Sequence, residues 1–293
     1  MTSGIINVNK PCGITSFDVC AIVRRILGIR RIGHFGTLDP QASGVLPIAV
    51  GSACRIMEYL NDETKQYECS ARLGISTDTL DIWGNILGTS DTSSLTKEAL
   101  TEAILSFFGE HEQTPPLYSA IRVNGMRLYE YAKRKADVKI PKRSISVSEI
   151  SVDRIALPDF SFSLTCSRGT YVRSICRDIG DIMGVGCAMT GLVRTRSGAF
   201  TIGGAIDVSD IKGMTTDELT DFIVSPDTAL MHMLSANLAE REAGLFINGV
   251  ILRDNQWNSA NKTESRYRVY GPQGFLGIGC RTSDGFKAEK VLV

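Results

Sequence analysis

A chain of 293 residues with 43% hydrophobic and 22% charged residues carries enough apolar material for a substantial core, which excludes wholesale disorder and fits one large domain plus a small appendage. The formal net charge is zero, which argues against a protein that coats nucleic acid indiscriminately, yet the charge is segregated: residues 122–143 hold eight Lys/Arg against Glu130 and Asp137, and residues 201–240 hold seven Asp/Glu against Lys212. Eight cysteines without a CxxC pair, no basic-then-apolar leader pattern, and no apolar run near the roughly 18–20 residues of a membrane span predict a cytoplasmic protein with no zinc site and no span.

In chain order, GIINVNK reads as a short strand. Thr15-Ser16-Phe17-Asp18 reads as a capping box, followed by Val19, Ile22, Val23, Ile26 and Leu27 at helical spacing and a stop at Gly28. Arg24, Arg25, Arg30 and Arg31 then form a basic edge ahead of a glycine-punctuated stretch. Alternation in Tyr67, Cys69, Ala71 and Leu73, and again in Phe160, Phe162, Leu164 and Cys166, predicts strands with one buried face. Between them a helix begins at Thr96, buries Leu100, Ile104 and Phe107, and stops at Gly109. A further helix follows Thr170 with Val172, Ile175, Ile179 and Ile182 inward and Gly184 closing it. Strands and helices mix without a regular βαβ rhythm, so an α+β fold with a largely antiparallel sheet is expected. From about residue 233, turn pairs such as Asn248-Gly249, Gly271-Pro272 and Asp284-Gly285 separate short apolar runs, which predicts a small barrel. The sequon Asn261-Lys262-Thr263 reads as a chance match in a chain of this class.

The most informative stretch is GHFGTLDPQASGVLPIAVG, residues 33–51, where one carboxylate, Asp39, sits among Gly33, Gly36, Pro40 and Gly44. Glycines at this spacing make a loop that can display a reacting side chain and admit a nucleotide backbone. Taken alone, Asp39 reads as the start of a turn before Pro40, Tyr67 as a strand-core residue, and His34 as a loop histidine. The stretch 122–143, interleaved with Tyr129 and Tyr131, fits a clamp over phosphates or a plain solvated face. Asp78, Asp81 and Gly84 show metal-like spacing, but no metal is implied.

Residues 33–51 resemble the central motif of the TruB family of tRNA pseudouridine synthases. NKPCGITSFD at 9–18, KQYECSARLGISTDTLDIWG at 65–84, PPLYSAIRVNG at 115–125, CSRGTYVRSICRDIG at 166–180 and LVRTRSGAF at 192–200 resemble further family landmarks in the same order. The resemblance implies the pseudouridine synthase fold, a mixed, largely antiparallel central sheet flanked by helices and loops, over residues 1–232, with an RNA-binding insertion around 115–143. It implies a small β-barrel, PUA-like RNA-binding domain over 233–293. It also implies isomerisation of the T-loop uridine at position 55 of tRNA, without a cofactor, by a chain that works as a monomer with no obligatory protein partner. Asp39 is then the essential carboxylate, Arg173 its ionic partner, and Tyr67 an aromatic that stacks on the base and helps remove a proton. Tyr171 and Leu192 become pocket walls, and His34 a contact to extruded nucleotides. Departures from the family pattern are Phe35, Val193 and Arg168; Phe35 and Val193 fall at positions expected to touch RNA or substrate. Two other readings stand beside this one: a tRNA chaperone that does not need Asp39, and a relative that works inside guide-RNA complexes.

Overall fold

The computed structural model describes residues 3–60, 64–258 and 265–293, so the sequon at 261–263 lies outside the described residues. Strand β1 (Gly4–Lys10) leads into helix α1 (Ser16–Leu27). Thr15 Oγ1 accepts from Asp18 N at 3.1 Å and Asp18 Oδ2 accepts from Thr15 N at 2.8 Å, satisfying two N–H groups that a helix start leaves open. Gly28 ends the helix at φ 66°, in the left-handed region that glycine enters without a Cβ clash. Strands β2 (Ile32–His34) and β3 (Ser43–Val50) bracket the glycine-rich loop, and β4 (Lys65–Leu73) buries every second residue, Tyr67 through Leu73.

A hairpin of β5 (Ile75–Thr77) and β6 (Ile86–Thr89) follows, then helix α2 (Lys97–Leu105), capped by Thr96, and β7 (Gly109–Gln113). The basic insertion folds as a hairpin, β8 (Arg122–Val123) with β9 (Met126–Arg127), running into helix α3 (Leu128–Arg134). Strand β10 (Arg143–Ala156), β11 (Asp159–Cys166), helix α4 (Val172–Met183), β12 (Cys187–Ser197), β13 (Phe200–Thr201) and β14 (Ile206–Asp207) complete the body. The main sheet runs β14-β1-β3-β12-β4-β11-β10-β7, with β13 on β12 and β2 on β3. Its β1–β14 and β3–β12 pairings are parallel and the others antiparallel, so the sheet is largely antiparallel as the patterning implied and mixed as the family resemblance implied.

Helix α4 corrects one expectation. Val172, Ile175 and Ile179 are buried, but Ile182 is 58% exposed, and Cys176 and Gly180 take the inner face instead. The helix is rolled toward its Gly180 side because β12 begins there: a Cβ on Gly180 would stand 2.3 Å from Cys187 N, so only glycine permits the contact.

In the tail, β15 (Leu234–Asn237), a helix over Glu240–Ile247, and the meander β16 (Arg266–Gly271), β17 (Gly274–Thr282) and β18 (Gly285–Val291) form a second sheet in the order β15-β16-β17-β18. Leu252 exchanges backbone hydrogen bonds with Phe286, and Asn258 with Asn237, so one segment bridges both edge strands and curls the sheet toward a barrel. Trp257 stacks on Phe286 at 4.3 Å inside this small core. Ile278 packs into a separate cluster with Ile56, Tyr59, Leu60 and Leu230, which ties the tail to the body.

Candidate active site

The Asp39 loop is pinned at three points. Arg194 Nη2 donates to Gly36 O at 2.6 Å; Ser16 Oγ both accepts from Leu38 N at 3.0 Å and donates to Leu38 O at 3.1 Å. Buried Lys10 donates from Nζ to Pro40 O at 3.1 Å, to Pro11 O at 2.9 Å and to Ile14 O at 2.8 Å, tying the loop to the segment before α1. Burial pushes the Lys10 ammonium down to about 8. Gly36 has φ 74°, and a Cβ there would press on Arg194 Nη1 at 3.1 Å, so the loop needs glycine for backbone and space alike.

Helix α4 delivers the partner. Gln113 accepts from Tyr171 N at 2.8 Å and donates to Tyr171 O at 3.1 Å, fixing the helix start, and Ser174 Oγ donates to Thr114 O at 3.0 Å. Arg173, 5% exposed, then meets Asp39 side-on: Nε lies 2.8 Å from Oδ2 and Nη2 donates to Oδ1 at 3.0 Å. The rest of the guanidinium is spent on Thr79 O at 2.9 Å and Tyr118 O at 3.2 Å, with Asp81 Oδ2 at 4.0 Å from Nη1. A two-point pair of this kind sets the carboxylate's orientation as well as its counter-charge. Asp39 keeps 38% of its side chain open to solvent, so exclusion of water from the site is left to a bound substrate. Asp78 serves the local fold by holding Asn85, and Asp81 holds Thr79 and Trp83 while its second oxygen faces Arg173.

The pair lies at a cleft of about 740 Å³ that also takes in Tyr67, Tyr171 and Leu192. Tyr67, from β4, and Leu192, from β12, are each 8% exposed. Burial raises both phenols above their ordinary value. Five cations, Lys65, Arg143, Arg168, Arg173 and Arg194, line the cleft against the single carboxylate Asp39, which suits a polyanionic substrate. His34 does not join this lining. It sits on β2 with its Nδ1 buried and without a hydrogen-bond partner among the described residues, its imidazole pushed down by burial and by nearby Arg194. Phe35 is corrected outright: at 2% exposure it meets Phe200 edge-on at 6.1 Å in the core, where no RNA reaches it. Val193 is half-buried within β12 and is not among the residues lining the cleft. Sequence reasoning missed Lys10, Gln113 and Arg194, because a lysine beside Pro11, a strand-end glutamine and one arginine among several carry no local signal of burial.

Two family models cover the body. One, described as TruB family pseudouridylate synthase (N terminal domain), matches residues 24–172, and one described as tRNA pseudouridylate synthase B C-terminal domain matches residues 173–234. The chain is 40% identical over 291 residues to tRNA pseudouridine synthase B of Clostridium tetani, covering 99% of this chain and 100% of that protein. It is 42% identical over 294 residues to the protein of the same name from Clostridium perfringens, covering 99% of each. Among solved structures, a Cbf5-Nop10-Gar1 complex contains a chain that superposes with TM-score 0.75 at 25% identity, over 99% of this chain and 85% of that one. The chain therefore belongs to the TruB family of pseudouridylate synthases.

Proposed function

We propose that this chain converts the T-loop uridine at position 55 of tRNA to pseudouridine, acting as a monomer on free RNA with no cofactor and no obligatory protein partner. The observation that carries the reading is the two-point Asp39–Arg173 pair at the floor of a cation-lined cleft. The reaction breaks an N-glycosidic bond, turns the freed uracil, and joins its C5 to the same ribose carbon, with no net electron transfer. A fixed carboxylate supplies the nucleophile or base, and Arg173 keeps it aimed. The uridine leaves its stack and rests against Tyr67, with Tyr171 and Leu192 as walls; stacking of this kind is worth about 1–3 kcal/mol per base. His34, off the cleft lining, is left for a neighbouring nucleotide.

The exposed cations of residues 122–143 then grip phosphates, and residues 233–293 act as a PUA-like domain against the acceptor end. Because that grip is separate from Asp39, it also supports a second role in remodelling tRNA, one that Asp39→Asn retains. The test is an unmodified T-arm stem-loop carrying tritium at uracil C5, incubated with the purified protein alone. Tritium release to solvent is expected; release only after accessory proteins or a guide RNA are added would overturn the proposal.

A further inference from the structure

Arg194 is fully buried, forms no ion pair with a carboxylate among the described residues, and still lines the cleft. An unpaired buried guanidinium is costly, so its position calls for a use. The β12–β4 register sets Arg194 directly opposite Tyr67, as nearest cross-strand neighbours on one face. Two of its nitrogens are anchored, Nε on Val45 O at 2.7 Å and Nη2 on Gly36 O at 2.6 Å. On its other flank β12 meets β3 so closely that a Cβ on Gly44 would stand 2.2 Å from Arg194 O, which sets the Arg194 backbone directly against the strand after the Asp39 loop.

We infer that Arg194 is a positioning residue for Tyr67, holding the phenol oxygen so that it can remove the C5 proton of the isomerised base. The inference rests on the pseudouridine-forming reading above. Once C5 is bonded to the ribose, C6 is double-bonded to N1; the C5 proton passes to the Tyr67 oxygen, the C–H electron pair restores the C5=C6 double bond, and the C6=N1 pair returns to N1. The phenol gives its own proton to N1, so the base ends neutral and Tyr67 is regenerated. Burial opposes ionisation of this phenol, and the Arg194 charge works against that opposition.

A uridine deuterated at C5, in the same T-arm stem-loop, tests this. Arg194→Lys is expected to lower kcat about 10-fold or more with KM little changed, and to raise the C5-deuterium isotope effect as proton removal becomes limiting. In a Tyr67→Phe background the same substitution should cost at least about fivefold less than in the unaltered protein, leaving only what the weakened hold on Gly36 O costs, because its phenol partner is gone. An unmoved isotope effect, or losses that simply multiply, would overturn the inference. A crystal structure of the unaltered protein decides it even if the variants do not fold: an Arg194 nitrogen within about 3.2 Å of Tyr67 Oη is expected, and a separation beyond about 4 Å overturns it. If the unaltered protein releases no label at all, the functional reading fails; if it does and only these results fail, the inference alone is wrong.

Discussion

The Asp39 loop and the basic insertion of residues 115–143 both border the cleft, and they are built to opposite standards. Lys10, Ser16 and Arg194 hold the loop at Pro40, Leu38 and Gly36, and Arg173 grips the carboxylate itself at two points. The insertion buries Ile121 and Leu128 as anchors but leaves all eight of its Lys/Arg side chains exposed, with Arg127 and Lys133 near the Tyr129 ring. Chemistry demands placement, because a shift of about 1 Å can cost of order 100-fold in rate. Grip on phosphate demands charge and tolerates movement.

That contrast can be broken by experiment. Arg173→Lys keeps the charge but loses the fork, and should lower kcat by about 10²–10³-fold while leaving RNA affinity unchanged, as single-turnover rates and filter binding would show. A fall in affinity instead would mean that floor and wall are not separate. Joint replacement of Lys133, Arg134 and Lys135 by alanine should do the reverse: affinity lower by about 10-fold or more, the log–log salt slope shallower by about 2–3, and kcat at saturating RNA retained. Smaller effects sharpen the picture on the floor side. Thr15→Ala removes the cap of the helix that carries Ser16, and urea unfolding should show a loss of about 1 kcal/mol. Ile182→Ser, on the exposed side of α4, should stay within about 0.5 kcal/mol of the unaltered protein.

What the sequence made legible follows the same division. Local signals carried through: the Thr15 box, the alternation of Tyr67 to Leu73, the Thr96 start and the stops at Gly28 and Gly184 appear where expected, because each depends on neighbours within a few residues, whereas α2 ends at Leu105 with Ser106 as its cap and the expected stop, Gly109, opens β7 instead. Asp39, Tyr67, Tyr171, Arg173 and Leu192 meet at one cleft, but composition and spacing alone left Asp39 a turn residue and Tyr67 a core residue; the family motif brought them together. Contacts between distant segments were not legible. Ile182 read as inward because nothing local reports that β12 draws α4 toward Gly180, and Phe35, placed by the family pattern among contacts to RNA or substrate, could not be seen to pack in the core because Phe200, its partner, lies far along the chain. Lys10 and Arg194 escaped notice for the same reason, since their partners are backbone oxygens of the Asp39 loop and the strand after it.

The central claim, that the fixed Asp39 carboxylate performs the isomerisation, is tested most directly by comparing tritium release from C5-labelled T-arm RNA between the unaltered protein and Asp39→Asn at equal RNA occupancy. The account predicts that the amide variant still binds the RNA and releases no label above background. Release at an undiminished rate by the variant would contradict it.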